Sequence, residues 1–423
     1  MSNHFITQIY IEKIRHLKNI KIDLSNDEAK HLILTGKNGV GKTTLIEAIK
    51  EYLRIIQYDG AINSDRNRKK QIKNLKENLQ YSNSNDINIQ LQNEIENNIE
   101  YINQFGFYGL DIEFNCDKEG KNSLLYSLYN QGEFILAYYG SNRTTYMAKP
   151  LGVEKIKLKD SYAFDENPSQ VFLKYLVDLK TQQSFARNEN DIEVVENIEN
   201  WFNKFENAMR IILDDDSIKL KFDYRNYDFK ILQDNREPYG FNELSSGYSS
   251  VLNIVSDLIL RIDKNRASTC KDYAFDTEGI VLIDELETHL HIELQKKILP
   301  FLVSFFPNIQ FIVTTHSPFV LNSIDNAVIY DLEKNIRLEG LSEYSYEGIV
   351  EGYFDIDNYS DELKNKISKY KELAFRSDLT EDERELRAEL RIELKNASND
   401  LAKELKQEFD EIERQREKLK WLK

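Results

Sequence analysis

The sequence predicts an α/β fold: a mixed sheet with flanking helices, interrupted by an inserted helical lobe and followed by a helical C-terminal region. Three observations predict it. First, the apolar run His31-Leu32-Ile33-Leu34-Thr35 leads into Gly36-Lys37-Asn38-Gly39-Val40-Gly41-Lys42-Thr43-Thr44 and then the helical pattern Leu45-Ile46-Glu47-Ala48-Ile49. That is the strand–loop–helix setting of a phosphate-binding loop. Second, far downstream, apolar strands at 280–283, 310–313 and 327–330 alternate with helical segments, as in the second half of an α/β sheet. Third, apolar residues between and beyond these halves recur at helical spacing.

In chain order, residues 1–56 begin the sheet domain. Phe5, Ile9, Ile11, Ile14, Leu17, Ile20, Ile22 and Leu24 carry period-2 stretches, as an antiparallel edge beside a parallel sheet would. Residues 57–104 are rich in Asn, Lys, Glu and Gln with thinly spaced apolar positions, and read as an inserted arm, partly helical or a mobile loop. Arg66, Arg68, Lys69, Lys70, Lys73 and Lys76 form the densest basic cluster of the chain. A solvated helix face is the plain reading of that cluster, and a phosphate-contacting patch is the alternative. Residues 105–160 return to strands at Gly109–Phe114, Leu124–Tyr126 and Phe134–Tyr139. The last strand ends in Gly140-Ser141-Asn142-Arg143, where Arg143 is either a ligand contact or part of an ordinary surface turn.

Residues 161–215 form a helical lobe. One stripe runs through Val171, Leu173, Tyr175, Leu176 and Leu179, and another through Ile198, Trp201, Phe202, Phe205, Met209, Ile212 and Leu213, with the aromatics expected inside. Residues 216–340 hold two short strands, around 218–222 and 227–232, and then the helix–strand alternation of the second half-sheet. Residues 341–423 are charged and mostly helical. Leu386, Leu390, Leu394, Ala397, Leu401, Leu405, Phe409 and Ile412 recur at steps of four and three, which predicts one long amphipathic helix packed on the body or on a partner. Asp355 and Asp357 form a D-x-D, read as an acidic surface turn.

At 423 residues the chain is long enough for a large core. No stretch approaches the 18 or more apolar residues of a membrane span. The N-terminus lacks a basic region followed by an apolar core, so no export signal is expected. Two cysteines, Cys116 and Cys270, make neither a disulfide framework nor a metal cluster. A cytoplasmic protein fits these features. The net charge of −16 argues against indiscriminate coating of nucleic acid while leaving local DNA contact open.

In the phosphate loop, Gly36, Gly39 and Gly41 let backbone N–H groups close around phosphates, with Asn38 and Thr44 in the same wrap and a helix N-terminus adding positive potential. Lys42 reaches the β- and γ-phosphates and the Thr43 hydroxyl ligates Mg²⁺. A second signal is Gly279-Ile280-Val281-Leu282-Ile283-Asp284-Glu285: a buried strand delivers Asp284 to the Mg²⁺ shell, and Glu285 follows as general base for an attacking water. Two further segments are Phe241–Ser250, opening a helix at Val251, and Phe311-Ile312-Val313-Thr314-Thr315-His316-Ser317-Pro318, a strand ending at a histidine.

Leu244-Ser245-Ser246-Gly247 resembles the signature of the ABC-type ATPases, with Ser246 where that family has a glycine. The resemblance, carried by residues 5–55, 134–143 and 241–332, implies a P-loop ABC-type ATPase head with ATP and Mg²⁺ as cofactors. It makes 1–56 and 216–340 the two halves of the ATPase domain and 105–160 its core strands. It also implies that Ser245, Ser246 and Gly247 hold the γ-phosphate of ATP on a second copy of the chain, and that His316 senses that phosphate. His291, in Leu286-Glu287-Thr288-His289-Leu290-His291, stands where transporters carry a coupling Asp. The Leu-His pair is similar to the bacterial defence and overcoming-lysogenization-defect-type branch. Gly279–Tyr330 with Tyr344–Phe354 more narrowly resembles the PtuA ATPases of Septu-type and retron-associated anti-phage systems. That match implies a regulatory ATPase with an HNH nuclease (PtuB-like) partner; under this reading the helical lobe and the helical region 341–423 would meet the partner or DNA, and the 66–76 cluster is the candidate DNA contact. The alternatives are a DNA repair or recombination ATPase of the SMC/RecF type, a self-contained nuclease of the overcoming-lysogenization-defect type, for which no nuclease domain is visible, and a membrane-transporter motor subunit, which the insertions and His291 disfavour.

Overall fold

The computed structural model describes residues 4–82, 84–116, 122–143, 146–263, 275–338, 341, 349, 361–376, 378–396 and 403–421. The chain divides into two compact units, Met1–Tyr344 and Ser345–Lys423. Tyr344–Phe354 falls outside the described residues except at position 349, and the Asp355/Asp357 pair lies outside them altogether.

The first unit is organised by a six-stranded sheet. Its members are β3 (His31–Thr35), β5 (Phe134–Tyr139), β8 (Glu278–Ile283), β9 (Ile309–Thr314), β10 (Ala327–Asp331) and β11 (Ile336–Leu338), numbered in chain order. The spatial order is β11-β10-β3-β9-β8-β5, parallel throughout except for the β10–β11 pair. β3, β9 and β10 are buried along their whole length, the signature of strands covered on both faces. Their β-branched and leucine content suits a pleated, enclosed surface.

β1 (Ile6–Ile14) and β2 (Leu17–Asp23) are an antiparallel hairpin, as their period-2 pattern predicts. They do not edge the parallel sheet. They form a separate three-stranded sheet, β2-β1-β4, with β4 (Leu110–Phe114). Helix α1 (Lys42–Leu53) is gripped between the two sheets: Ile9, Ile11, Ile112 and Phe114 join Leu45, Ile46, Ile49 and Leu53, and Leu32, Leu34, Leu282 and Ile312, in one core. A pattern of alternation gives a strand's faces and not the sheet it joins, which is why the edge assignment failed.

The polar segment after α1 is a helical hairpin, α2 (Ala61–Tyr81) and α3 (Asn85–Phe105), closed on Ile72, Leu75, Ile95 and Ile102. Leu124–Tyr126 is helical, within α4 (Asn122–Asn130), and not a strand: three apolar residues in a row fit either state, and only Leu125 is fully buried. The predicted helical lobe is α5 (Phe172–Asn188) and α6 (Ile192–Leu213). Trp201 and Tyr175 meet edge-on at 5.8 Å and both donate hydrogen bonds to the buried Asp263 carboxylate. The lobe is not purely helical. The hairpin β6 (Lys219–Asp223) and β7 (Asp228–Leu232) stacks Phe229 on Phe202 at 5.7 Å.

In the second unit, the apolar repeat from Leu386 to Ile412 is divided between the helices Glu381–Asn396 and Lys403–Trp421, with 397–402 outside the described residues. Together with Asp361–Phe375 they enclose Ile367, Tyr370, Leu373, Leu390, Leu394, Phe409 and Ile412. Of the stripe, Leu390, Leu394, Phe409 and Ile412 therefore serve a core within this unit, while Leu386 is exposed. Thr380 and Glu383 form a reciprocal capping box that starts the middle helix.

One buried histidine ties stability to pH. His31, 5 % exposed, accepts the Phe311 N–H at Nδ1 (3.0 Å), and burial pushes its pKa down to about 4. The unfolded chain binds this proton near pH 6.5 and the folded chain does not, so the contribution is complete above pH 6.5 and is lost as pH falls towards about 4. Denaturant titrations at pH 7 and pH 4.5 are expected to differ by roughly 2–3 kcal/mol more in the wild type than in His31→Asn, which keeps an acceptor and cannot titrate.

Candidate active site

Strands β5, β8, β9 and β3 are parallel neighbours, so their C-terminal ends open on one side of the sheet. Each end leads into a predicted site segment: Arg143 after β5, Asp284 and Glu285 after β8, His316 after β9, and the phosphate loop after β3. Ligands of open parallel sheets are met at this edge.

The loop wraps Gly36 to Gly41 around the N-terminus of α1. Gly36, Gly39 and Gly41 have φ of 127°, 83° and 103°, a region closed to most residues with a side chain. Lys42, 6 % exposed, turns back and donates to the carbonyls of Gly36 (2.8 Å) and Lys37 (3.2 Å). Its Nζ also lies 3.5 Å from His316 Nδ1. An ammonium only donates, so His316 accepts at Nδ1 and carries its proton on Nε2. Burial and then the Lys42 charge hold His316 below the ordinary histidine range, so it is neutral at pH 7. Burial likewise lowers Lys42, opposed first by Glu287 and then by Glu285 and Asp284.

Thr43 Oγ1 donates to both carboxylate oxygens of Asp284, at 3.0 and 3.2 Å, across 241 residues of sequence. Asp284 is 2 % exposed and also accepts from Thr314 Oγ1 at 2.6 Å. Thr314 in turn accepts the Glu285 N–H at 2.7 Å. Thr314 lies in the segment that leads to His316 but carries no role in the sequence reading; its only signal is a hydroxyl residue at a strand end.

Glu285 adopts φ 48°, in the left-handed region. A non-glycine residue there costs roughly 1–3 kcal/mol unless the surroundings fix it. Arg143 is one of the groups that fix it. Its guanidinium donates to the carbonyls of Asp284 and Glu285, each at 2.8 Å, and to Ser250 Oγ at 2.9 Å. Arg143 is 7 % exposed, which corrects the surface-turn reading. These bonds clamp the acidic loop to helix α7 (Ser246–Asp263).

Helix α7 starts at Ser246, five residues before the predicted opening, because the Ser245 carbonyl already accepts the Ser249 N–H. Ser245 and Ser246 are exposed at its N-terminus. Among the described residues no hydrogen bond joins Ser245, Ser246 or Gly247 to the phosphate loop of the same chain. Gly247 is buried, and a Cβ there would sit 2.4 Å from the His289 carbonyl oxygen. Close backbone approach alone therefore demands glycine. His291 is the exposed residue before α8 (Ile292–Phe305), and its side chain makes no cap bond there. Among the described residues no hydrogen bond or ion pair joins its side chain to Lys42 or Asp284. The turn between β1 and β2 does reach the loop, with His16 Nε2 2.9 Å from the Val40 carbonyl.

The basic cluster on α2 is largely engaged. Lys69 pairs with Asp65 (2.8 Å) and Asp111 (3.4 Å), Arg68 donates to Asn98, and Lys76 donates to Tyr108 and faces Glu12. Lys70 and Lys73 are exposed.

The residues present fit a nucleoside triphosphate with Mg²⁺. The loop offers backbone donors and a cation, and the hydroxyl–carboxylate pair Thr43–Asp284 is a hard oxygen set suited to Mg²⁺ shared with phosphates. Among the described residues no cluster of three or more His, Cys, Asp or Glu could hold a metal by itself. No helix of the described residues is long and apolar enough to cross a membrane.

Residues 176–322 match the family described as "AAA domain, putative AbiEii toxin, Type IV TA system". The chain is 28% identical over 417 residues to Septu protein PtuA of Bacillus mycoides (strain KBAB4), covering 94% of this chain and 50% of that protein. It is 32% identical to the Retron Ec83 probable ATPase of Escherichia coli, over 38% of this chain and 30% of that one. The Retron Vc95 probable ATPase of Vibrio cholerae serotype O1 biovar El Tor is 24% identical, over 75% and 72%. The chain thus spans half or less of the first two of these relatives. Among solved structures, an Smc head bound to the C-winged helix domain of ScpA aligns at a TM-score of 0.39 and 10% identity, over 77% of this chain and 94% of that one, too loosely to argue from. With its phosphate loop and strand order the chain has a P-loop α/β fold, a mostly parallel sheet with flanking helices, and it is similar to proteins named in Septu and retron systems, two of them as probable ATPases.

Proposed function

We propose that the chain binds and hydrolyses ATP as the regulatory subunit of an anti-phage defence complex. The observation that carries the catalytic part is the Thr43–Asp284 bond beside the Lys42–His316 contact, which gathers segments far apart in sequence at one sheet edge. Lys42 and the loop N–H groups would hold the β- and γ-phosphates. Thr43 and Asp284 would hold Mg²⁺, which when bound neutralises charge developing on the phosphate oxygens. Glu285 would accept the proton of the attacking water, and His316, neutral with Nε2–H as donor, would contact the terminal phosphate.

The exposed N-terminus of α7 supports a second half-site. Ser245 and Ser246 are free to face the triphosphate of another copy, so that ATP holds two chains together and hydrolysis releases them. The regulatory part rests on the likeness to Septu PtuA and retron ATPases, and the partner that the sequence resemblance implies is an HNH nuclease. A contact with DNA would rest on Lys70 and Lys73, since the rest of the α2 cluster is bonded within the chain.

The test isolates the chain from its native cell and measures plasmid cutting by an HNH protein that co-purifies with it, alone and with the chain, under ATP, ADP or no nucleotide. Cutting is expected to change at least tenfold between ATP and ADP only when the chain is present. Identical cutting in every condition would remove the regulatory reading and leave the ATPase. Association with a repair nuclease in place of an HNH protein would favour the SMC/RecF-type alternative.

A further inference from the structure

Glu287 follows the acidic pair by two residues, on the loop that leaves β8, and the nucleotide motifs give it no task. Its Oε1 accepts the backbone N–H of His316 at 2.5 Å. Its Oε2 is buried and makes no hydrogen bond among the described residues. A carboxylate with one oxygen buried and unbonded is unfavourable, so packing alone does not account for it.

The route by which Glu287 arrives there is specific. The left-handed turn at Glu285 redirects the chain, and the Leu286 N–H then bonds the Thr314 carbonyl, which lays the loop across the end of β9. On that strand end Thr315 is anchored through its N–H to Leu34, and the Ser317 N–H is held by the Thr315 hydroxyl. The amide of the residue between them, His316, is held by Glu287. A backbone N–H bonded to an ionised acceptor is short and stiff. Burial lowers Lys42, Arg143 and His316, and of the surrounding acids Glu287 opposes that effect most at each of the three. The carboxylate therefore sits near Lys42, Arg143 and His316 together.

We infer that Glu287 is a positioning residue: it fixes the main chain of His316 so that the imidazole stays against Lys42 and the terminal phosphate, coupling the loop after β8 to the loop after β9. The inference rests on the ATPase reading above. Because Glu287 acts through His316, its removal should slow turnover and spare nucleotide binding.

The test is a double-mutant cycle on the full chain, combining Glu287→Ala with His316→Ala, with kcat from phosphate release and affinity from titration with a fluorescent ATP analogue. Glu287→Ala is expected to lower kcat about 10- to 100-fold, the scale of an ångström-level misplacement. Affinity should stay within about threefold. Glu287→Gln, which keeps an acceptor for the His316 N–H, should recover most of the loss. In the His316→Ala background, Glu287→Ala should change kcat less than about twofold, because coupled residues are non-additive. Should Glu287→Ala fail to fold, Glu287→Asp, which withdraws the carboxylate by one methylene, should give the same split between kcat and affinity. Equal losses in the wild-type and His316→Ala backgrounds, or a fall in affinity as large as the fall in kcat, would overturn the inference and leave the ATPase assignment standing. A wild-type chain that neither binds nor hydrolyses ATP would take both down.

Discussion

Glu285→Gln is expected to bind ATP with Mg²⁺ as the wild type does and to turn it over about 100- to 10,000-fold more slowly, the range assigned to a positioned general base. The amide is isosteric with the carboxylate and cannot take a proton. The turn that presents it is set by the main chain, through the Thr314 hydroxyl on its N–H and Arg143 on its carbonyl, and neither bond involves the side chain that changes. Folding should therefore be spared. Thr288 Oγ1 donates to Glu285 Oε2 at 3.3 Å, and the Gln carbonyl can accept that bond in its place. If ATP holds two copies together, the variant should accumulate as an ATP-dependent assembly, read by light scattering on a sizing column. Phosphate release at the wild-type rate would show that Glu285 is not the base.

Lys42→Ala carries the second large effect, a loss of ATP affinity of about 100-fold or more, measured by the same fluorescent titration. Lys42 is the cation at the centre of the loop, with Asp284, Glu285 and Glu287 acting on it together. Removing it would leave those acids facing a triphosphate with the counter-charge reduced, in a buried place where charge is poorly screened. A charge-assisted hydrogen bond to phosphate contributes about 1.5–3 kcal/mol by itself, and the exposed repulsion adds to that. Binding within about threefold of the wild type would mean that the phosphates are held elsewhere.

These two residues were legible in the amino-acid sequence because their chemistry needs short, contiguous patterns. Three glycines at the right spacing before Lys42 and four apolar residues before Asp284 and Glu285 are local features, and local features survive in one dimension. The partners that hold them were not legible. Thr314, Arg143 and Glu287 act through hydrogen bonds to main-chain or side-chain atoms that are 29 or more residues away. Arg143 was picked out for lying at a strand end, yet its role as a buried clamp appears only once α7 and the acidic loop are placed on either side of it. The C-terminal stripe shows the same limit. Steps of three and four predicted helix, and helix is found, but the spacing could not tell one long rod from two helices sharing a core with a third.

The sequence by itself determined the type of nearly every element, the phosphate loop, the acidic pair and the histidine, because backbone periodicity and loop chemistry are set by near neighbours. The tertiary structure decided which strands lie side by side, that β1 and β2 leave the main sheet for one of their own, and that Thr43, Lys42, Asp284 and His316 meet at one edge. Those outcomes depend on burying apolar faces and pairing buried charges across hundreds of residues, interactions that exist only after the chain has closed on itself.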